Sequence, residues 1–575
     1  MAHQSENVKP LEEKYFNSIK DIRNLKPNVE FILYPNYRYQ EQINEEVFYT
    51  DFFNFLNNCD NKSTICVLTS PIAAALISSR IPPSIHIKLW IAVKLTTPNK
   101  IDGYMDEAHA ALLVFTKSNK ALEHTKTRSA YTYCPACDKT TKDYGGKKHL
   151  YHSYGTMISD VWRDISVDFS EKPSDVIQRL KDLFGIELYS TINIYDLRKL
   201  YPPQNKARIY KSYTDSTVNQ FAFNGSPNSI LINSDCFDAL KAIPDNSIDF
   251  CFADPPYNIN KKYEGWDDGI DIQGYFEWCD DWLFELARIL KPGCTLAVLN
   301  IPQWCIRHFK YLNTILDYQD WIVWDGLSLP VRMIMPAHYS ILCFTKGEPR
   351  SLPGIVRQIN TGSEISAMYA LKEGYCVRSA CINKRNAAGL VDRSLSSNVW
   401  SDIHRLKHNS RRVDHPCQLP PQFMNRLIAF FTNEAEYVLD PFNGAGTSTL
   451  TTAAMNRKYV GIELSEYYHK ITENRHGDLA SGINPFRKND DVPKAKNSHV
   501  TRLKKQKYDV PKKILQLEVK EIAKLLERTP TREDIIELSK HPIEYFDNYF
   551  INWGEVTAAV RTTGMSEIKL LDSVD

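Results

Sequence analysis

Short unbroken apolar runs that stop at polar turns dominate the middle of this chain. Ser247-Ile248-Asp249-Phe250-Cys251-Phe252-Ala253 is one, ending at Asp254-Pro255-Pro256-Tyr257. Ile230-Leu231-Ile232-Asn233-Ser234 is another and ends at Asp235. Farther on, Glu436-Tyr437-Val438-Leu439 runs into Asp440, a glycine-containing turn, and a helical stretch from Thr447 to Met455; Tyr459-Val460-Gly461-Ile462-Glu463 follows. Runs of this length, without alternation, are those of parallel strands covered on both faces. The pattern therefore predicts an α/β domain in which acids sit at the carboxyl ends of several strands. An amphipathic helix is expected after Pro420, through Phe431, and another at Leu515 to Leu526. Thr531 is expected to cap the helix that follows, with Asp534 at its third position.

The same patterning occurs twice. Thr64-Ile65-Cys66-Val67-Leu68 and Pro71 match Thr295-Leu296-Ala297-Val298-Leu299 and Pro302, and Lys88-Leu89-Trp90-Ile91 matches Gln319-Asp320-Trp321-Ile322. His109 with Phe115-Thr116-Lys117 aligns with His338 and Phe344-Thr345-Lys346. Ile158 to Ile165 aligns with Ser396 to Ile403. The near-constant offset predicts a duplicated domain; convergent patterning of two α/β domains is the alternative. In the first copy Tyr34-Pro35-Asn36-Tyr37 stands where the second has Asp254-Pro255-Pro256-Tyr257, and Tyr201-Pro202-Pro203 stands where a glycine turn is expected. The first copy is thus expected to keep a scaffold without its chemistry, pairing with the second as an internal pseudo-dimer.

Asp254, Pro255, Pro256 and Tyr257 suit the activation of an exocyclic amino nitrogen on a nucleobase. That nitrogen is a poor nucleophile because its lone pair is delocalised into the ring. A carboxylate (Asp254) and a backbone carbonyl (Pro255) that accept its hydrogens draw it toward tetrahedral geometry. The two prolines fix those acceptors beforehand, and Tyr257 offers a ring against which an extruded base can stack. A rigid turn with no chemistry is the plainer reading of the same four residues. Gly444 and Gly446 allow close approach of backbone to a ligand, and Glu463, about 20 residues on, is placed to receive ribose hydroxyls.

Together with His415-Pro416-Cys417-Gln418-Leu419-Pro420, these motifs resemble the beta group of DNA amino-methyltransferases, over Asn228 to about Arg475. The resemblance implies a Rossmann-like, S-adenosylmethionine-dependent domain. It makes Asp254, Pro255, Pro256 and Tyr257 the catalytic loop, and Asp235, Gln418, Asp440, Phe442, Asn443, Gly444, Gly446, Thr447 and Glu463 the cofactor site. The Asp-initial motif is similar to adenine-N6 enzymes; cytosine-N4 transfer is the alternative, and a catalytically silent DNA-binding regulator is a reading of another class. Double-stranded DNA with a flipped base is the implied partner, with a cognate restriction endonuclease beside it. Cytosine-C5 chemistry is disfavoured, because it needs a thiolate nucleophile; Cys417 lies in another motif, and Cys251 and Cys279 read as core.

Four regions are expected: residues 1–220, the degenerate copy; 221–480, the catalytic domain, with a target-recognition insert at about 350–414; 481–513, a basic linker; and 514–575, a helical module. The last resembles the small helical repeat attached to some homing and HNH endonucleases, where it binds DNA. Cys134-Pro135-Ala136-Cys137 followed by His149 and His152 offers a zinc knuckle, with reduced cysteines in a solvated loop as the alternative. Cys376 and Cys381 lack matching histidines, so a metal is expected to belong to the first copy alone.

Composition changes this picture little. A hydrophobic fraction of 43% and a net charge of +1 describe an ordinary globular chain, so contacts to DNA phosphates must be local. The polar start, Met1 to Pro10, has no signal-peptide core. The 13 scattered cysteines form no secreted disulfide framework, and a cytoplasmic location is expected.

Overall fold

The computed structural model describes residues 12–18, 28–35, 45–100, 104–140, 155–185, 188–200, 209–213, 217–259, 269–326, 338–352, 368–406, 417–486, 512–550 and 553–557, with residues 143, 413, 415, 510 and 560. The chain divides into two compact units, Met1–Val492 and Pro493–Asp575.

The first unit holds two sheets. One contains β1 (Glu12–Phe16), β2 (Val29–Leu33), β3 (Thr64–Thr69), β4 (His86–Asn99), β5 (Glu107–Thr116), β10 (Val161–Val167) and β11 (Thr191–Asp196). Its order is β1-β11-β2-β3-β5-β4-β10. Between β5 and β10 lie the two-residue strands β6 (Arg128–Ser129), β7 (Tyr133–Cys134), β8 (Lys139–Thr140) and β9 (Thr156–Met157), which pair among themselves. The other sheet contains β12 (Ile230–Asn233), β13 (Ile248–Ala253), β14 (Leu290–Asn300), β15 (Asp317–Asp325), β16 (His338–Thr345), β19 (Val399–Trp400), β20 (Tyr437–Asp440) and β21 (Lys458–Glu463). Its order is β12-β21-β20-β13-β14-β16-β15-β19, with β17 (Tyr369–Leu371) and β18 (Arg393–Leu395) forming a separate ribbon. In each large sheet one strand alone, β5 or β16, runs against the rest. All residues of β2, β3 and β13 are buried, which accounts for sequences that are apolar apart from Glu30, Asp249 and the terminal threonines of β3.

The two sheets share strand order and sense over seven strands: β1-β11-β2-β3-β5-β4-β10 follows β21-β20-β13-β14-β16-β15-β19. Local hydrogen bonds recur as well. The Trp162 and Trp400 indole N–H groups donate to the carbonyls of Ser159 and Ser397, at 2.9 and 2.8 Å. Lys117 Nζ donates to the carbonyls of Asn57 and Cys59, and Lys346 Nζ to those of Ala287 and Arg288, each at the end of the helix that precedes β3 or β14.

Matching residues also meet one another. Trp90 and Trp321 stack with ring centroids 4.0 Å apart and planes 6° from parallel. The helix Pro71–Arg80 packs against Pro302–Ile315. His109 Nδ1 lies 3.1 Å from Asn398 Oδ1, and His338 Nδ1 lies 2.9 Å from Asp160 Oδ2. In that exchange each sheet's histidine meets the other's side chain at one matched position, as in a two-fold interface.

Strand register shifts the motif comparison by one residue. Ile32 pairs with Val67, and Ala253 with the matching Val298, so Leu33 rather than Tyr34 falls at the position of Asp254. By the same register Glu30, next to Asn193, matches Cys251, next to Leu439, which places Ile194 at the position of Asp440. Both acids are therefore aliphatic in the first sheet. Tyr34 is fully buried against Phe48. Asn36, Tyr37 and Tyr201 to Pro203 lie outside the described residues.

The segment 350–414 is not one insertion. Arg350 makes a two-pronged ion pair with Glu436, Nη1 and Nη2 each 2.7 Å from a carboxylate oxygen. Val399–Trp400 is the edge strand of the second sheet, and Asp402 is locked to buried Arg426 at 2.8 and 2.9 Å. Among the described residues of this segment, the β17–β18 ribbon and the helix Ser379–Ala387 between its strands stand outside the large sheet.

The second unit, taken by itself, packs Leu515, Val519, Ile522, Ile535, Phe546, Phe550 and Val556 into a small core of its own. Its helices are Lys512–Leu526, Arg532–Leu538, Ile543–Tyr549 and Trp553–Val556. The expected cap is present: Thr531 and Asp534 form a reciprocal capping box. Among the described residues no helix is long and apolar enough to cross a membrane.

Candidate active site

In the second sheet β13 lies between β14 and β20. The chain leaves β13 toward β14 on one side and returns by β20 on the other. Diverging connections of this kind open a crevice at the carboxyl ends of the strands, where ligands bind in open α/β sheets. A cavity of about 430 Å³ occupies that position, within the size range of small-molecule sites.

Asp254, Pro255, Pro256 and Tyr257 line it from the end of β13, and Asp440, Phe442, Asn443, Gly444 and Thr447 from the end of β20. Glu463 contributes from β21, Asp235 from the segment after β12, and Gln418 from the loop before the helix Pro421–Phe431. Gly446 does not line the cavity. At φ +78° it opens the helix Thr447–Ala454, and a Cβ there would sit 2.5 Å from Thr472 Cγ2. Its role is packing of the turn, whereas Gly444, at φ +50°, lies on the wall.

The loop Asp254 to Tyr257 is tied down by three hydrogen bonds. Tyr257 Oη donates to Asp254 Oδ1 at 2.8 Å, Tyr275 Oη to the Pro256 carbonyl at 2.7 Å, and Trp304 Nε1 to the Tyr257 carbonyl at 2.8 Å. Burial, with Asp254 beside it, pushes the Tyr257 phenol far above its ordinary pKa, so it is a donor at all working pH. Trp278 and Trp282 pack around Phe442, at centroid distances of 5.7 and 5.1 Å, and steady the opposite wall.

Three acids meet here. Burial raises the Asp440 carboxyl to about 7, reinforced by the charges of Asp254 and Glu463, although Ser448 Oγ and the Phe442 N–H donate to it. Glu463 accepts the Gly444 N–H at 2.7 Å and the Ser465 N–H at 2.9 Å, one at each oxygen. A carboxylate oxygen can accept more than one hydrogen bond, so a group of this kind suits a ribose hydroxyl. Gln418 Oε1 accepts the Val413 N–H at 2.9 Å, while its Nε2 is buried and has no partner among the described residues. Asp235 caps the helix Cys236–Lys241 through the Phe237 N–H at 2.8 Å. A cofactor with a cationic centre, hydroxyls and hydrogen-bond acceptors fits a wall that carries Asp254, Asp440 and Glu463 together with the buried Gln418 amide.

Several wall residues were not expected. Trp324, Tyr339 and Arg405 line the cavity near Tyr257. Tyr257 and Tyr339 have ring centroids 6.1 Å apart, and Arg405 lies 4.6 Å over the Tyr339 ring while donating to its hydroxyl at 3.0 Å. These come from strand ends and a loop whose local sequence carries no motif. Cys417 also lines the cavity, whereas Cys251 and Cys279 are fully buried core.

Two residues of the expected zinc set, Cys134 and Cys137, belong to a four-cysteine cluster. Cys134 and Cys137 face Cys376 and Cys381, and all four Sγ atoms lie within 4.8 Å of one another. His149 and His152 lie outside the described residues. The second cysteine pair was not joined to the first in the sequence reading because it arrives from about 240 residues away and carries no histidine.

Residues 248–474 match the family model described as DNA methylase, N6_N4_Mtase. Over 288 residues the chain is 32% identical to type II methyltransferase M.BamHI of Bacillus amyloliquefaciens, covering 49% of this chain and 64% of that protein. It is also 32% identical over 261 residues to type II methyltransferase M.HpaI of Haemophilus parainfluenzae, covering 44% of this chain and 76% of that one. The DNA adenine methyltransferase YhdJ of Escherichia coli K12 is 25% identical over 255 residues, 43% of this chain and 82% of that protein. Among solved structures, the cytosine-N4-specific PvuII DNA methyltransferase aligns with TM-score 0.30 and 14% identity, over 48% of this chain and 91% of that one. With 32% identity over 76% of M.HpaI, and a family-model match that spans β13 to β21, the chain belongs to the DNA methylase family of N6/N4 methyltransferases.

Proposed function

We propose that this protein is a site-specific DNA methyltransferase that transfers a methyl group to adenine N6, within a restriction-modification or defence system. One observation carries the reading: the Asp254 carboxylate shares a single cavity with Asp440 at the end of β20 and Glu463 at the end of β21. S-adenosylmethionine is the cofactor, and when bound it supplies a methyl group on a sulfonium. Glu463 would receive its ribose hydroxyls, while Asp440 and Asp254 offset its positive charge.

Asp254 does the positioning chemistry. Tyr257 orients it through one oxygen, and the carboxylate accepts a hydrogen of the base amino group, with the Pro255 carbonyl as second acceptor. The nitrogen gains a methyl and gives up one proton, for which Asp254 is the nearest base in the loop. Tyr257, Tyr339 and Trp324 form an aromatic recess beside it, suited to a base turned out of a duplex. The Asp-initial motif favours adenine, as does the adenine-methylating relative from Escherichia coli.

The shared strand order and reciprocal contacts support reading residues 1–220 as a duplicated, silent copy that pairs with the catalytic one as a second subunit would. Leu33 and Ile194 at the positions of the two acids remove both the acceptor and the cofactor's counter-charge. The β17–β18 ribbon, the basic segment before residue 513 and the helices after it are the proposed contacts to DNA; phosphate contacts of that kind weaken with salt.

The test is methylation mapping of DNA from cells expressing the wild type or Asp254→Ala. N6-methyladenine at one motif, present only with Asp254, supports the proposal. N4-methylcytosine would replace the base and keep the mechanism. Equal marks with both proteins would overturn the role of Asp254, and absence of any mark would favour a silent DNA-binding role.

A further inference from the structure

The four-cysteine cluster lies apart from the cavity and has no part in the chemistry proposed for it. Cys134 ends β7, and the β7–β8 hairpin turns through Asp138 at φ +53°. Cys376 and Cys381 flank the start of the helix Ser379–Ala387 in the second half. Cys134 Sγ is 3.9 Å from Cys381 Sγ, and Cys137 Sγ is 3.9 Å from Cys376 Sγ.

These separations decide between two outcomes for paired thiols. A disulfide needs sulfurs about 2.05 Å apart. A tetrahedral metal with bonds of about 2.3 Å places its sulfurs about 3.8 Å apart. The cluster has the second geometry. Its surroundings suit thiolates: the Cys376 N–H donates to Cys134 Sγ at 3.4 Å, and Arg385 Nη1 donates to Cys381 Sγ at 3.0 Å. Lys384 Nζ, 3.4 Å from the Ala136 carbonyl, brings a second positive charge to the knuckle. Four soft ligands in a closed, half-buried set select zinc and leave no open position for catalysis.

We propose that Cys134, Cys137, Cys376 and Cys381 bind one structural zinc ion that clips the two halves of the first unit together, two ligands from each. The clip joins the loop region after β5 to the β17–β18 ribbon, the counterpart region in the second half. It therefore fixes the ribbon, whose ends rest on the edge of the catalytic sheet, against the silent half. Binding of the ion is folding free energy for these loops.

The test begins with metal content of the full chain purified without chelator, expected at one zinc per molecule. Cobalt substitution then reads the ligands: a tetrahedral d–d spectrum with strong thiolate charge transfer, and X-ray absorption of the zinc form showing four sulfurs at about 2.3 Å. Cys134→Ser with Cys376→Ser should abolish zinc retention, whereas Cys417→Ser and the pair His149→Ala with His152→Ala should keep it. A protein that binds neither zinc nor cobalt overturns the proposal. So does a mixed sulfur–nitrogen shell, or loss of metal in the histidine pair. The spectra of the wild type decide the matter even if the cysteine variants do not fold.

Discussion

Asp440 gives the sharpest test of how the cavity is tuned. Its carboxyl is raised from 3.8 to about 7, first by burial and then by Asp254 and Glu463. Three pKa units correspond to about 4 kcal/mol of differential interaction between the protonated and ionised forms. The folded-state pKa lies above the unfolded value, so the folded protein binds more protons than the unfolded one between about pH 4 and 7. Stability therefore falls as pH rises through that window and levels off above it. A bound cation beside the acids reverses the preference, so cofactor binding should expel the proton. At pH 6 roughly nine-tenths of the sites are protonated and at pH 8 roughly one-tenth.

Calorimetric titration of S-adenosylmethionine in buffers of different ionisation enthalpy counts the protons released. Relative to Asp440→Asn, which keeps an acceptor for the Phe442 N–H, the wild type should release close to one extra proton at pH 6 and almost none at pH 8. The subtraction cancels titration of the cofactor's own amine. Equal proton counts for the two proteins across this range would refute the account of Asp440.

Asp254→Asn should lower kcat by about 10²–10³-fold, the typical loss of one preorganised hydrogen-bonding group, with cofactor affinity changed only a few-fold; single-turnover methylation and calorimetry separate the two. Gly446→Ala should destabilise the turn by about 1–3 kcal/mol and weaken cofactor binding, because a side chain at φ +78° is strained and meets Thr472; thermal denaturation with and without cofactor reads both. Trp90→Ala and Trp321→Ala should each cost about 3–5 kcal/mol. Their double-mutant cycle should show about 0.5–1.5 kcal/mol of coupling if the rings stabilise each other by stacking; additive losses in denaturant titrations would mean they do not.

Local chemistry made much of the active site legible in the sequence. A proline pair behind an acid, glycines where a turn must bend, and an acid at the end of each apolar run act over a few residues, and all but Gly446 of the named positions line the cavity. The Thr531–Asp534 cap was equally local. Other features depend on distances that only folding brings together. The recess of Trp324, Tyr339 and Arg405 gathers three separate segments with no shared pattern. The match of Leu33 to Asp254 needed hydrogen-bond register, since a one-residue slip is invisible in a short apolar run. The four cysteines read as a knuckle and a leftover pair until the packing of the two halves closed a gap of some 240 residues. A chain specifies its turns and caps by near-neighbour sterics, whereas its composite sites are decided by which surfaces are buried against each other.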